Sequence, residues 1–518
     1  MQWILICLGF TGFVFTGYSA APVVSLNDQH SQLLIGQSVS ILEDKEGHFT
    51  FTDILQKDLQ DRFIPNDEDS PNMGYTTSVF WVRVIIRNDS RRPQIWYLEV
   101  GYPSLDYVYL YHQNRNGQWA TIRNGDRLPF YTRETVHRNF VFQLDIPHGR
   151  ADTLYLRIES QGSLSFPLTI MNETAFRDTV HESQLAFGLY YGIFVALMLY
   201  NLLIFFSIRD SNYIYYVAYM ASYLILQMNF NGLAYEYLWP AFPEWNAIAM
   251  PLFIGLVYLF SVGFANRLLI TRQLSPRLHR FMQVLEFLGV LIIIGAFILP
   301  YAVIIRIAAF ITLLMAPTIM AAAIIGLIHK YRPARFFFFA WFFFLVGMVL
   351  FSLKNFGIVP SNFLTVYSLQ IGSAMEILLL SLALADRINL LKQELEIKEL
   401  EKQKLERERF MIARQVTIGI LHEIRQPLQV LRGILDVFQL PNSVTPADRE
   451  RLTEKAQQGV DKIKGHLHRL ETLEKQYFQH TKAYTHDERM IDLSEQSAVV
   501  PPTSDQRPGP DSPGKTGT

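Results

Sequence analysis

Residues 184–206, QLAFGLYYGIFVALMLYNLLIFF, contain no charged side chain. A helix of about 20 apolar residues crosses the hydrocarbon core of a bilayer, so this stretch predicts a transmembrane helix. Similar stretches recur along the chain, and the complete set is 184–206, 213–231, 246–266, 282–300, 302–327, 336–353 and 363–385. The sequence therefore predicts a seven-helix transmembrane bundle over residues 184–385.

The overall composition agrees with a membrane protein. Hydrophobic residues make up 50% of the chain and charged residues 18%, with a formal net charge of −1. This balance does not favour nucleic acid as a partner. The single cysteine, Cys7, lies in an N-terminal apolar stretch, which excludes an internal disulfide and a cysteine metal site. We predict neither a metal site nor a cofactor.

Basic residues are distributed unevenly among the loops of the predicted bundle. Loops on one side hold Arg209, Arg267, Arg272, Arg277, Arg280, Lys330, Arg332 and Arg335, whereas loops on the other side hold little beyond Lys354. Because positively charged loops stay in the cytoplasm, we expect the N-terminal domain outside and the C-terminus inside the cell.

The first 21 residues have the pattern of a secretory signal peptide. An apolar run over residues 3–17 is followed by small residues at positions 19–21. No basic residue precedes the run, so an uncleaved N-terminal anchor is the alternative. Either reading agrees with an external N-terminal domain.

Residues 22–180 predict a β-rich external domain. Polar and apolar residues alternate over 81–86 and 107–111, and turn-forming pairs such as Asn116-Gly117 separate these runs. Short strands at this spacing predict an antiparallel β-sandwich of the jelly-roll type. Aromatic faces and planar donors suited to a small ligand are supplied by Trp81, Arg83, Tyr102, Arg127, Phe130, Arg133 and Arg138. Core packing explains the same residue types equally well.

After the last predicted span the composition becomes charged and helical. Residues 390–410, LLKQELEIKELEKQKLERERF, place leucines at three- and four-residue steps, which predicts a coiled-coil linker over 386–412. A single solvated helix is the alternative. Residues 486–518 are rich in proline, serine and glycine and predict a disordered tail.

A helical hairpin is predicted over residues 413–485. Residues 420–431, ILHEIRQPLQVL, lie in its first helix, whose predicted apolar stripe is Ala413, Val416, Ile420, Ile424, Leu428, Leu431 and Leu435. His422 falls away from that stripe and faces solvent. Glu423 is placed to hold one of its ring nitrogens, and Gln426 lies one turn further on. Pro427 should kink the helix.

The second helix of the hairpin is predicted to begin at Thr445, an N-cap residue that precedes a proline and an acid. Its apolar stripe is Leu452, Ala456, Val460, Ile463, Leu467, Leu470 and Leu473. Four histidines lie in or after this helix, at positions 466, 468, 480 and 486. Because His466 and His468 fall on different faces of the helix, we expect surface histidines rather than a metal site. Two such hairpins form a four-helix bundle, so the sequence predicts a homodimer.

Two resemblances follow from these residues. The run from His422 to Leu428 resembles the phosphoacceptor box of bacterial sensor histidine kinases, His-Glu-hydrophobic-Arg/Asn-x-Pro-Leu. The whole chain resembles seven-transmembrane receptors with diverse intracellular signalling modules, whose external domain is a carbohydrate-binding-like sandwich. The stretches that carry this second likeness are LEVGYP (98–103), GDRLPF (125–130) and GSLSFPL (162–168).

The resemblance implies a two-component or phosphorelay receptor of the bacterial inner membrane, with a periplasmic sandwich that binds a small ligand, such as a carbohydrate. His422 would be the phosphoacceptor, with Glu423 and Gln426 as its catalytic neighbours. The residues after the hairpin lack the Asp-x-Gly-x-Gly loops of an ATP-binding domain. We therefore expect His422 to be phosphorylated in trans by a separate kinase or response regulator. The alternative is a non-enzymatic receptor whose hairpin binds and modulates a complete kinase.

One acid stands out within the predicted membrane region. Glu376 lies midway along the seventh stretch, where an ionisable side chain is costly unless it faces the interior of the bundle. We predict that it forms a polar lock that switches between states. A packing hydrogen bond without a switching role is the alternative.

Overall fold

A computed structural model describes residues 22–91, 95–355, 358–359, 362–439 and 445–477. The chain divides into two compact units after Leu391. The predicted signal peptide, most of the hairpin connection, His480, His486 and the predicted tail lie outside the described residues.

The first unit begins with β-structure. Its strands are β1 (Val24–Leu26), β2 (Gln32–Leu34), β3 (Val39–Asp44), β4 (Ile64–Pro65), β5 (Asn72–Tyr75), β6 (Val79–Asn88), β7 (Trp96–Val100), β8 (Tyr107–Gln113), β9 (Trp119–Asn124), β10 (Phe140–Leu144), β11 (Ala151–Glu159), β12 (Ser163–Ser165) and β13 (Leu168–Asn172). They form a larger sheet of order β4-β3-β6-β11-β8-β9, a smaller one of order β10-β7-β13-β2, and the short pair β12-β5.

The predicted sandwich is confirmed. Successive side chains of β6 point to opposite faces of the sheet. Val82 and Val84 therefore share one face, where they join Leu98 and Phe142 of the smaller sheet in a buried core. All pairings are antiparallel except that of β1 with β6, which is parallel. Parallel pairing leaves no pattern in a three-residue strand, so this exception could not be predicted from local spacing.

The described residues also form thirteen α-helices. They are α1 (Phe51–Ile54), α2 (Lys57–Gln60), α3 (Glu173–Ile208), α4 (Ser211–Phe230), α5 (Leu233–Tyr237), α6 (Pro243–Leu268), α7 (Thr271–Leu274), α8 (Pro276–Ile298), α9 (Tyr301–Ile328), α10 (Pro333–Asn355), α11 (Phe363–Val366), α12 (Ser368–Phe438) and α13 (Pro446–Tyr477).

Seven of these helices coincide with the seven predicted spans. Six of the described helices, α3, α6, α8, α9, α10 and α12, are long and apolar enough to cross a membrane. The remaining one, α4, has 20 residues and carries several tyrosine, asparagine and glutamine side chains that are buried among its neighbours. Its length is that of a bilayer crossing, and its polar groups face protein rather than lipid.

The predicted boundary between the last span and the cytoplasmic region is not a break in the helix. A single helix, α12, contains the last span, the predicted coiled-coil linker and the first helix of the hairpin. It continues through Pro427, which is buried, so the chain remains helical at the predicted kink. The other described helix of the second unit is α13, and the Thr445 hydroxyl accepts a hydrogen bond from the Asp448 amide at its start, as predicted.

Candidate functional site

The loop between β9 and β10 is packed against the outer end of the helical bundle. The Phe130 amide donates a hydrogen bond to the carbonyl of Pro240 at 2.9 Å, and the Tyr235 hydroxyl donates to the carbonyl of Leu128 at 2.6 Å. The rings of Phe130 and Tyr235 meet edge to face. The sandwich is therefore joined to the bundle by paired backbone groups and aromatic contact.

Arg133 holds this loop together from inside. Its guanidinium lies 4.3 Å from the centre of the Phe130 ring and donates to the carbonyls of His137 and Arg138 at 2.8 and 3.0 Å. Burial lowers the pKa of Arg133 to about 10, so the side chain stays charged at neutral pH. Cation–π contact and two carbonyl acceptors compensate for the lost hydration.

A hydrogen-bonded node connects the same loop to the last membrane helix. Arg138 donates to the carbonyl of Asn231 at 3.5 Å, and the Asn231 amide donates to the Tyr191 hydroxyl at 2.9 Å. The Gln370 side chain of α12 donates to the Asn231 side-chain oxygen at 3.5 Å. Asn231 thus contacts the sandwich, α3 and α12.

Polar contacts continue along one face of α12. They join Ser373 to Tyr190 at 2.8 Å, Glu376 to Tyr219 at 2.7 Å, the Ile377 carbonyl to Tyr216 at 2.6 Å and Ser381 to Asn201 at 3.2 Å. Positions 370, 373, 377 and 381 advance by three or four residues, and Glu376 follows Ser373 by three, which keeps these residues on one side of the helix. We call this row, from Gln370 to Ser381, the polar ladder.

Ion pairs fix the end of the bundle opposite the sandwich. Arg387 of α12 lies 3.8 Å from Asp210 and donates to the carbonyl of Arg267 at 2.9 Å. Arg335 lies 3.6 Å from Asp386. The last membrane helix is therefore held by polar groups at both ends and along its length.

Glu376 is the only ionisable side chain in the polar ladder, so its burial is the most unfavourable in free energy. Its side chain is fully buried, one oxygen accepts the Tyr219 hydroxyl, and the other has no partner among the described residues. The predicted burial toward the bundle interior is thus observed, while a switching role stays a prediction. A buried oxygen without a partner is available for a second donor in another packing arrangement.

Replacing Glu376 with alanine should lower the thermal unfolding temperature of the protein in lipid nanodiscs. The substitution leaves the buried Tyr219 hydroxyl without its acceptor, which costs about 1–3 kcal/mol. Glu376→Gln keeps an acceptor at the same place and should cost clearly less. Addition of Tyr219→Phe to Glu376→Ala should recover part of the loss. Equal effects of alanine and glutamine would contradict the hydrogen bond.

The seven residues predicted to bind a ligand do not form one site. Trp81 is fully buried beneath α1, and Arg83 donates to the Gln60 side chain at 2.8 Å on the same face of the larger sheet. Burial raises the pKa of the Tyr102 hydroxyl to about 12, and this ring packs against the sandwich core. Trp81 therefore packs in the core of the sandwich, which is the alternative that the sequence leaves open for this residue.

The other four predicted residues lie at the junction between sandwich and bundle. Phe130, Arg133 and Arg138 make the contacts described above, and Arg127 lies 3.5 Å from Asp106. Their aromatic and guanidinium groups are used for contact within the protein. Their partners lie in the β9–β10 loop, in the rest of the sandwich and in the helices of the same chain.

In the second unit, His422 is exposed, as predicted, and so is Gln426 one turn away. Glu423 has a different neighbour from the one predicted. Its carboxylate lies 3.0 Å from Nδ1 of His466 on α13, without hydrogen-bond alignment. Adjacent residues on a helix point about 100° apart, which explains why Glu423 faces the second helix rather than His422. His466 is accordingly half-buried, whereas the sequence predicted a surface position.

The predicted apolar stripe of the first hairpin helix divides between two faces. Of its residues, Ile420 is buried and Leu431 lies next to Gly459 of α13; Ile434, which is not part of the predicted stripe, is buried as well. Leu428 and Leu435, which the sequence placed on the same stripe, are exposed. One face of the helix therefore packs within the hairpin, and a second apolar face remains uncovered.

Comparison with known families matches both parts of the first unit. Residues 36–172 match the model described as 7TMR-DISM extracellular 2, and residues 183–387 match the model described as 7TM diverse intracellular signalling. Both domains of a 7TMR-DISM receptor are present in this chain. No match was found among curated proteins. The receptor is thus a multi-pass membrane sensor with an extracellular sandwich.

Sequence reasoning missed most of the receptor's polar ladder. The sequence analysis identifies only Glu376, although Gln370, Ser373 and Ser381 lie on the same helical face of an apolar segment. Polar residues at three- and four-residue steps within a membrane span are a detectable signal, because each must find a partner inside the bundle. The identity of those partners, such as Asn231, is not encoded locally.

Proposed function

We propose that this receptor is a two-component or phosphorelay sensor of the bacterial inner membrane that relays an extracellular signal to His422. The observation that carries the proposal is α12, a single helix in which the polar ladder and the exposed phosphoacceptor-like box both lie. A change in the hydrogen bonds of the ladder acts on the helix that bears His422. With the sandwich outside the cell, as the charges of the loops predict, α12 ends in the cytoplasm.

The external sandwich is the part that would receive the signal. Its β9–β10 loop reaches α12 through Arg138, Asn231 and Gln370. A ligand that binds one packing arrangement of this junction better than another would shift the balance between them. The sandwich is proposed to bind a small molecule, with carbohydrates as the class that the family resemblance suggests.

His422 would accept a phosphoryl group rather than generate one. Its exposure leaves a ring nitrogen accessible to a partner protein, and the neighbouring Gln426 side chain can orient a phosphoryl oxygen or a water molecule. A separate histidine kinase, or a response regulator acting in reverse, would supply the group. Glu423 would have to leave His466 before it assisted this transfer.

The test is phosphoryl transfer to the full chain in lipid nanodiscs. The protein is incubated with labelled ATP alone and with ATP plus separate histidine kinases or phosphorylated regulators. We expect label only when a partner is present. Labelling by ATP alone would show a nucleotide site in this chain. If no partner labels it but its hairpin changes the activity of a complete kinase, the non-enzymatic receptor is the correct function.

The second unit is proposed to form a homodimer. Leu421, Leu428 and Leu435 recur every seven residues on α12, and their exposed fractions are 55%, 51% and 60%. A repeat of this length is that of a coiled-coil contact, and burial of apolar surface contributes about 25 cal/mol per Å2. A second copy of the same hairpin offers a matching leucine face.

A cysteine placed in this leucine face should form disulfide-linked dimers. The chain has one cysteine, so Leu428→Cys in a Cys7→Ser background gives a single reactive site. We expect rapid cross-linking on mild oxidation in nanodiscs. Lys464→Cys, an exposed position on α13, should cross-link far more slowly. Equal slow rates at both positions would contradict the proposed dimer face.

A further inference from the structure

One arginine lies on the outward face of a membrane helix. Exposed apolar side chains recur on α9 at three- and four-residue steps, at Val303, Ile307, Phe310 and Leu313. A stripe of this kind on a membrane helix faces the acyl chains of lipid. Arg306 is also exposed and lies on the stripe, one turn from both Val303 and Phe310. A charged side chain at such a position is unfavourable unless it reaches the polar headgroups of the bilayer.

The sandwich reaches the first turn of the same helix. A Cβ atom added at Gly162 would lie 3.3 Å from the ring of Tyr301, the first residue of α9. The adjacent Ser163 of β12 pairs with Tyr75 of β5, which brings Tyr75 to the start of α9. Burial raises the pKa of the Tyr75 hydroxyl, and the nearby positive charge of Arg306 partly opposes that rise. Tyr75 and Arg306 are therefore neighbours at the junction between sandwich and bundle.

The length of α9 gives the depth of Arg306 in the membrane. The helix ends at Ile328, on the side of the bundle opposite the sandwich. At a rise of about 1.5 Å per residue, Arg306 lies roughly 33 Å from Ile328 along the helix. This distance exceeds the hydrocarbon thickness of about 30 Å. Because helical side chains lean toward the N-terminus, the guanidinium extends into the headgroup layer nearest the sandwich.

The two side chains have binding capacity that the described part of the chain does not use. Arg306 forms no ion pair there, and the Tyr75 hydroxyl forms no hydrogen bond. Tyr75 is 47% exposed, which leaves it accessible from the membrane surface. The first turn of α9 contains no acidic residue, so the positive end of its helix dipole is not neutralised. A guanidinium, a phenolic hydroxyl and a helix N-terminus are groups that suit a phosphate ligand.

We infer that Arg306 and Tyr75 bind the phosphate of an anionic phospholipid in the leaflet nearest the sandwich. The guanidinium and the phenolic hydroxyl donate to the phosphate oxygens, and the acyl chains pack against Ile307 and Phe310. An anionic lipid is favoured because its negative charge has no other counter-ion, whereas a zwitterionic headgroup carries its own amine. The bound lipid bridges the sandwich and α9, so it is a contact distinct from the polar ladder on α12.

The experiment places a fluorescent probe beside the site in the full chain. Ile307→Cys in a Cys7→Ser background gives a single cysteine for bimane labelling. Nanodiscs of phosphatidylcholine contain a minor fraction of either brominated phosphatidylglycerol or brominated phosphatidylcholine as quencher. We expect phosphatidylglycerol to be enriched at the probe by about fivefold, the effect of one arginine at an anionic surface. Arg306→Gln should remove this preference, Tyr75→Phe should reduce it, and Arg306→Lys, which keeps the charge, should retain most of it.

Arg115→Gln and Tyr131→Phe are the matched controls. They remove the same groups from exposed residues of the sandwich and should leave the preference unchanged. Equal quenching by the two brominated lipids would overturn the site, and so would an unchanged preference in Arg306→Gln. Inorganic phosphate is also added in place of chloride at equal ionic strength. If it abolished the preference, free phosphate rather than lipid would be the ligand, and the inference would be wrong.

Discussion

His422→Ala should abolish phosphoryl labelling of the receptor in trans. The exposed imidazole is the group that matches the phosphoacceptor box, and alanine removes the nitrogen that would carry the phosphoryl group. The loss should be complete rather than partial, because no rate-enhancing neighbour can replace a missing acceptor atom. The measurement is acid-labile label on the full chain after incubation with a competent kinase.

His468→Ala is the matched control for this experiment. His468 lies on α13 and is exposed, so its removal leaves the fold and the acceptor unchanged. If the label persisted in His422→Ala and disappeared in His468→Ala, the acceptor would lie on α13 and the assignment to His422 would be wrong. Normal signalling by His422→Ala in cells would favour the receptor that acts through binding alone.

Gly347→Ala should destabilise the bundle at the crossing of α10 and α12. A Cβ atom at this position would lie 2.4 Å from the carbonyl oxygen of Ser368 and 3.2 Å from the Cα atom of Gly372. These are backbone atoms, so the two helices would have to separate. Overpacking of this kind costs about 1–3 kcal/mol. We expect a lower unfolding temperature in nanodiscs and a smaller folded fraction after extraction.

Gly188→Ala on α3 is the control substitution, because there is space for the added methyl group. No atom lies within 4 Å of a Cβ atom added at Gly188. Alanine is favoured over glycine within a helix by about 1 kcal/mol, so this variant should be as stable as the unchanged protein or more so. If both substitutions lowered stability equally, close contact of α10 with α12 would not be the cause. Because α12 also bears the polar ladder, Gly347→Ala should alter signalling as well.

Local patterns were sufficient to predict the sandwich and the membrane helices. Apolar stretches of bilayer length gave the seven membrane helices, and period-two alternation around Trp81 and Tyr109 gave the strands of the sandwich. The Thr445 cap and the exposure of His422 also followed from spacing along one helix. Each of these features depends on residues within a few turns of one another.

The features that the sequence does not decide involve distant partners. Trp81 suits either a ligand contact or the core by its residue type, and the packing of α1 against it places it in the core. The sequence predicts that Glu423 contacts His422, whereas its carboxylate lies 3.0 Å from His466 of the opposite helix. The sequence predicts Leu428 on the packed stripe, whereas this side chain is exposed. In each case the sequence indicated that a side chain could interact, but it did not indicate which residue the side chain would contact.

The sequence by itself determined the class of each segment, because helix length, strand alternation and capping are set by neighbouring residues and by the surrounding solvent or lipid. Only the tertiary structure decided that Arg138, Asn231 and Gln370 meet, and that Gly162 of the sandwich packs against Tyr301 of α9. These residues are far apart in the chain. Their contacts arise from how complete helices and sheets pack, which is a property of shapes and surfaces that no local pattern contains.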